Sequence, residues 1–218
     1  MSTLTTVLAV VTAVVAVADW IAVARSRKDV ETWLKPATLA LLIGTVIAAG
    51  ALDHSAGVWL VIALVLGMIG DIALLDDTVE WRFIAGLAAF LVGHLGYVVC
   101  FARVGLENSG WWVVGAVVVL VAFVVARGVL PAAVREGGPG LGIAVATYMA
   151  VIAAMTITGW ATASLWIAVG AAIFVCSDTT LALNKFVRPL SWARPTIMVT
   201  YHVGQALIAA GVLVRVTT

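Results

Sequence analysis

Apolar runs of about 20 residues, the length that crosses a ~30 Å hydrocarbon core as an α-helix, recur along the chain between short polar breaks. They predict transmembrane helices at about 3–24, 34–51, 57–75, 82–102, 110–128, 139–158, 161–184 and 194–216. Charged pairs and turn formers supply the punctuation: Asp53-His54, Asp76-Asp77 with Glu80, Glu107-Asn108-Ser109-Gly110, Arg135 to Gly140, and Arg188 to Pro195. The break between helices 6 and 7, Thr158 to Ser164, carries no charge and rests on Gly159, Trp160 and short polar residues. The pattern predicts an all-α, polytopic transmembrane bundle of about eight helices, forming a single domain over 1–218. The first run ends in Ala22-Val23-Ala24, a pattern signal peptidase accepts. However, Met1 to Val7 has no basic residue, and Arg25, Arg27 and Lys28 follow the run as a stop, so it reads as helix 1.

Composition removes the soluble alternative. The chain is 64% hydrophobic and 11% charged, with a mean hydropathy of +1.17, whereas a soluble domain carries about 25% charged residues to face water. A net charge of +1 says little as a total, and nothing in it points to a nucleic-acid partner. Its distribution says more. With alternating helices, one side collects ten basic residues (Arg25, Arg27, Lys28, Lys35, Arg82, Arg127, Arg135, Lys185, Arg188 and Arg194) and the other only two, Arg103 and Arg215. The positive-inside bias predicts a cell-membrane protein with the basic loops in the cytoplasm, both termini outside, and an even helix count. Trp20, Trp33, Trp81, Trp111, Trp112 and Trp192 fall near helix ends, as an interfacial belt requires. Cys100 and Cys176 lie in apolar runs and read as packing residues. A faint four-plus-four repeat pairs Asp71-Ile-Ala-Leu with Asp178-Thr-Thr-Leu, and Val92-Gly93-His94 with Val203-Gly204-Gln205. Coincidence in Ala/Val-rich sequence is the alternative.

Polar residues inside membrane spans cost about 2.5–3.5 kcal/mol each at the helix centre, so those present face the bundle interior and do something there. Here they are Lys35, Asp71, His94, Tyr97, Tyr148, Asp178, Asn184, Lys185, Tyr201, His202 and Gln205. At ~1.5 Å per residue, Asp71, Asp178, Lys35, Tyr148, Tyr201 and Gln205 fall in one layer of the cytoplasmic half, as a polar cavity would need. Two carboxylates in such a layer suit general acid/base work. The alternative is that each only pairs with Lys35 or Lys185, or caps a helix end. His94, flanked by Gly93 and Gly96, fits an interhelical hydrogen bond as well as it fits catalysis. Tyr201 and Gln205 share a helix face, from which His202 is turned by about 100°. Lys35 and Lys185 either snorkel to the interface or hold a phosphate headgroup. Asp19 is expected to pair with Arg25 or Lys35. No ligand spacing supports a metal, and no nucleotide or Ser-hydrolase motif implies a cofactor or a serine nucleophile.

An ordered set of motifs resembles a known family. The set is Lys35-Pro36, Gly70-Asp71, Phe90 to Tyr97 (FLVGHLGY), Ser177-Asp178 with Asn184-Lys185-Phe186, and Tyr201-His202-Val203-Gly204-Gln205. Together they resemble the YhhN-type lysoplasmalogenase-like membrane proteins, over helices 2 to 8. The resemblance implies an eight-helix intramembrane hydrolase that cleaves the vinyl-ether bond of a lysophospholipid, releasing a fatty aldehyde and a glycerophospho-alcohol. It maps the family's paired aspartates onto Asp71 and Asp178. His94, Tyr148, Asn184, Lys185, Tyr201 and Gln205 would position substrate or water, with Lys35 on the phosphate and the chain among Val and Leu side chains and membrane lipids. The rival expectation is a small proton-coupled transporter or lipid-binding protein using the same carboxylates.

Overall fold

The computed structural model describes residues 2–76, 79–107 and 110–217. Asp77, Asn108 and Ser109, read above as punctuation, lie outside them, as does the side chain of Glu80. Among the described residues all regular structure is helical: α1 Thr3–Ala24, α2 Lys28–Ala48, α3 Ser55–Ala73, α4 Glu80–Val104, α5 Trp111–Val125, α6 Val129–Ala161, α7 Leu165–Ala182 and α8 Ala193–Thr217. Seven of these elements are long and apolar enough to cross a membrane. Their outward faces are apolar too. Leu4, Val10 and Val14 on α1, and Val117, Leu120 and Val121 on α5, are all exposed, a surface suited to lipid and not to water. The chain is a multi-pass, all-α membrane protein.

Two boundaries differ from the sequence reading. α2 begins at Lys28, not near 34, because Asp29 and Glu31 sit in its first turn, where free N–H groups and the helix dipole favour acids. Lys35 is therefore two turns inside α2, not at its opening. α5 is only 15 residues long, about 22 Å. α6 joins a short helix from Val129, lying in the expected loop, to a longer one from Pro139 across non-helical Gly137 and Gly138, so the expected start at 139 agrees with the break. Gly138 has φ 70° and ψ −170°, a conformation open essentially to glycine alone.

The contacts divide the chain into two compact units, one running to Gly105 and taking in the chain from Ala209, the other Leu106–Ile208. In the first, α1 turns Thr5, Thr12, Ala16, Asp19, Ala22 and Val23 inward. Thr5 Oγ1 donates to the Ala48 carbonyl (3.0 Å), and the Thr12 and Thr45 hydroxyls bond at 3.2 Å. Hydrocarbon gives no hydrophobic drive between helices, so such hydrogen bonds, about 0.6 kcal/mol each, and close packing hold the pair. α3 and α4 meet along small residues: a Cβ on Gly96 would stand 3.3 Å from Ala63 Cβ, and one on Gly70 only 2.6 Å from the Phe90 ring.

In the second unit, the Glu107 N–H donates to the Ala161 carbonyl (2.7 Å). Trp111 stacks on Trp160 with ring centroids 5.8 Å apart. α7 and α8 cross at Gly170 and Gly204, where a Cβ on Gly170 would lie 2.9 Å from the Gly204 carbonyl oxygen.

Candidate active site

In the first unit, the Lys35 ammonium lies 3.1 Å from Asp71 Oδ1, with the two side chains 9% and 2% exposed. Lys35 reaches inward from the second turn of α2, and Asp71 closes the buried stripe Leu60, Ala63, Leu64, Gly67, Gly70 of α3. Beside it, Gly70 admits the Phe90 ring, so α4 covers this end of α3. Burying two charges is costly, and the pair holds only because each compensates the other. Lys35 thus does not snorkel to the interface: its buried ammonium is engaged by Asp71. His94 is buried beside the α3–α4 seam at 2% exposure, one turn, about 6 Å, farther along α4 than Phe90. Tyr97 is buried and stacks on Phe101 (5.9 Å).

Asp19 departs from its expectation. Arg25 is exposed beyond the end of α1, the Lys35 ammonium goes to Asp71, and neither Asp19 carboxyl oxygen has a hydrogen-bond partner among the described residues. The residue is 0% exposed. The signal was present in the spacing: residues 5, 12, 16 and 19 fall on one helical face, and that face packs on α2.

In the second unit the Tyr148 hydroxyl donates to Asp178 Oδ2 at 2.5 Å, joining α6 to α7. Ser177, buried next to Asp178, donates to the Ile197 carbonyl (3.2 Å) and ties α7 to α8. Tyr201 sets its ring edge-on to Phe174, centroids 5.4 Å apart. Tyr201, His202 and Gln205 are all buried, so the turn of about 100° does not carry His202 out to lipid. Asn184 Oδ1 accepts the Leu190 N–H (2.8 Å), which commits it to shaping the α7–α8 loop. Lys185 stands half-buried in the wide turn Leu183–Val187. Among the described residues, no group of three or more His, Cys, Asp or Glu is placed to hold a metal ion.

Each unit therefore turns a carboxylate inward from one helix, fully buried at Asp71 and half-buried at Asp178, and meets it with a polar side chain from the helix before: Lys35 for Asp71, Tyr148 for Asp178. This is a multi-pass membrane protein with ionisable groups turned inward, a placement that is costly in a membrane span. The YhhN family model matches residues 30–212, and the chain belongs to that family. It is 32% identical over 192 residues to a lysoplasmalogenase of Mycobacterium bovis, covering 82% of this chain and 70% of that protein. It is 33% identical over 152 residues to lysoplasmalogenase TMEM86B of Sus scrofa (69% and 61%). Over 165 residues it is 30% identical to human lysoplasmalogenase TMEM86A (72% and 66%). No solved structure matches the chain.

Proposed function

We propose that the protein is a lysoplasmalogenase, an ether hydrolase acting in the cell membrane on the vinyl-ether bond of a lysophospholipid. The carrying observation is the family match over 30–212 together with relatives of that name. The buried carboxyl of Asp71 and the half-buried one of Asp178 supply chemistry to suit it. A vinyl ether hydrolyses when its β-carbon takes a proton, leaving an oxocarbenium ion that water attacks. The hemiacetal then separates into a fatty aldehyde and a glycerophospho-alcohol. A carboxyl group can deliver that proton, and a carboxylate can steady the cation and take a proton from the incoming water. Tyr148 fixes the direction of the Asp178 carboxyl, and Tyr201 and Gln205, buried one turn apart on α8, offer polar groups to water and glycerol hydroxyls. The excess of basic residues in alternate loops supports a site in the cytoplasmic half, with both termini outside.

Purified protein given a lysoplasmalogen and its saturated alkyl-ether analogue should release aldehyde, read by mass spectrometry, from the vinyl ether alone. No aldehyde from folded protein would overturn this reading and favour proton-coupled transport by the same carboxylates.

A further inference from the structure

α1 lies outside the residues that the family model matches, yet it carries a fully buried carboxyl, Asp19, with neither oxygen hydrogen-bonded among the described residues. Roughly 90% or more of buried polar groups in native proteins are partnered, so such a group calls for a cause. The Thr12–Thr45 hydrogen bond sets α1 antiparallel against α2 in a register that brings Asp19, on the same face as Thr12, level with buried Thr38, one turn from buried Lys35, and Lys35 in turn reaches Asp71 on α3. Glu31 is half-buried, one turn nearer the start of α2. The inner three are the buried ones: two carboxyls and one ammonium, with Lys35 on Asp71. With both carboxyls ionised, one buried negative charge stands uncompensated, which a low-dielectric interior strongly disfavours. With one proton between them, the trio is neutral.

We infer that Asp19 and Asp71 share a single proton, Lys35 pairing with whichever carboxyl is ionised, so that Asp19 is the positioning residue that lets Asp71 act as the acid. This rests on the hydrolase reading and deepens it. When Lys35 turns to Asp19, Asp71 holds the proton and gives it to the vinyl β-carbon. The π electrons form the new C–H bond, and the ether oxygen shares a lone pair with the cationic carbon. Water bonds to that carbon and sheds one proton to the Asp71 carboxylate, which restores the proton spent. The C–O bond of the hemiacetal then breaks to aldehyde and alcohol, and the trio is again neutral.

Infrared difference spectra of the detergent-purified full chain at neutral pH read the proton without turnover. The wild type should show the C=O stretch of a protonated buried carboxyl that is missing from both Asp19→Asn and Asp71→Asn, while Lys35→Met should gain a second. An unchanged band in Asp19→Asn, or no gain in Lys35→Met, overturns the shared proton. In the aldehyde assay, Asp19→Asn should lower kcat by roughly 10²-fold with KM within about two-fold, and Asp19→Glu should recover most of the loss. Full kcat in Asp19→Asn overturns the positioning role. A wild type that releases no aldehyde sinks the hydrolase reading instead, and the infrared result still decides the proton.

Discussion

Asp71 and Asp178 differ in what meets them, a cation for one and a phenol for the other, and substitution should separate their parts. Asp71→Asn and Asp178→Asn preserve size but cannot exchange a proton. Each should abolish aldehyde release while the detergent-extracted protein still elutes as a single folded species; retained turnover would remove that residue from the mechanism. Tyr148→Phe removes one hydrogen bond to a carboxylate, worth about 1.5–3 kcal/mol, and should slow kcat by roughly 10- to 100-fold without ending activity. Both carboxylates were legible in the sequence because an ionisable residue in an apolar run has few reasons to be there. Their partners were only partly legible. Lys35 stood among the candidates for Asp71, but Tyr148 is 30 positions from Asp178, and only the crossing of α6 and α7 brings them together. The expected pairing of Asp19 with Arg25 or Lys35 is not what the structure has, because the face that carries Asp19 packs on α2 away from exposed Arg25 while the Lys35 ammonium lies on Asp71. Asn184 is read as a site residue from its motif, and the structure adds that its side-chain Oδ1 accepts the Leu190 N–H across the α7–α8 loop.

Helix packing near Asp178 depends on the α7–α8 crossing, where Gly170 and Gly204 let backbones touch. Gly170→Val puts side-chain atoms against a carbonyl that cannot retreat, at a cost of about 1–3 kcal/mol. Thermal unfolding in detergent should show a lower Tm, and an unchanged Tm would mean that the crossing opens freely. Helix positions were readable from the ~20-residue hydropathy period, and α1 matches its expected span of 3–24. The start of α2 was not, because acidic residues signal a loop to a hydropathy reading but stabilise a helix's first turn; the turn formers at Arg135 to Gly140 did mark the break at Gly137-Gly138 that precedes the long part of α6.

The proposed orientation follows from where Lys and Arg fall. Reporters fused at each terminus should both be active only on the non-cytoplasmic side; opposite sides would mean an odd number of crossings. That outcome turns on α5, read from the sequence as a full span over 110–128 and found as Trp111–Val125. At about 22 Å against a ~30 Å core, α5 leaves a hydrophobic mismatch. Exposed Trp111 and Trp112 at one end and exposed Arg127 just past the other are residues that can reach for the headgroups, and the remainder falls on the lipid as local thinning, at fractions of a kcal/mol per Å. The energy of keeping α5 in place is thus set in part by the chain length of the surrounding lipids, which makes bilayer thickness one of the protein's own structural parameters.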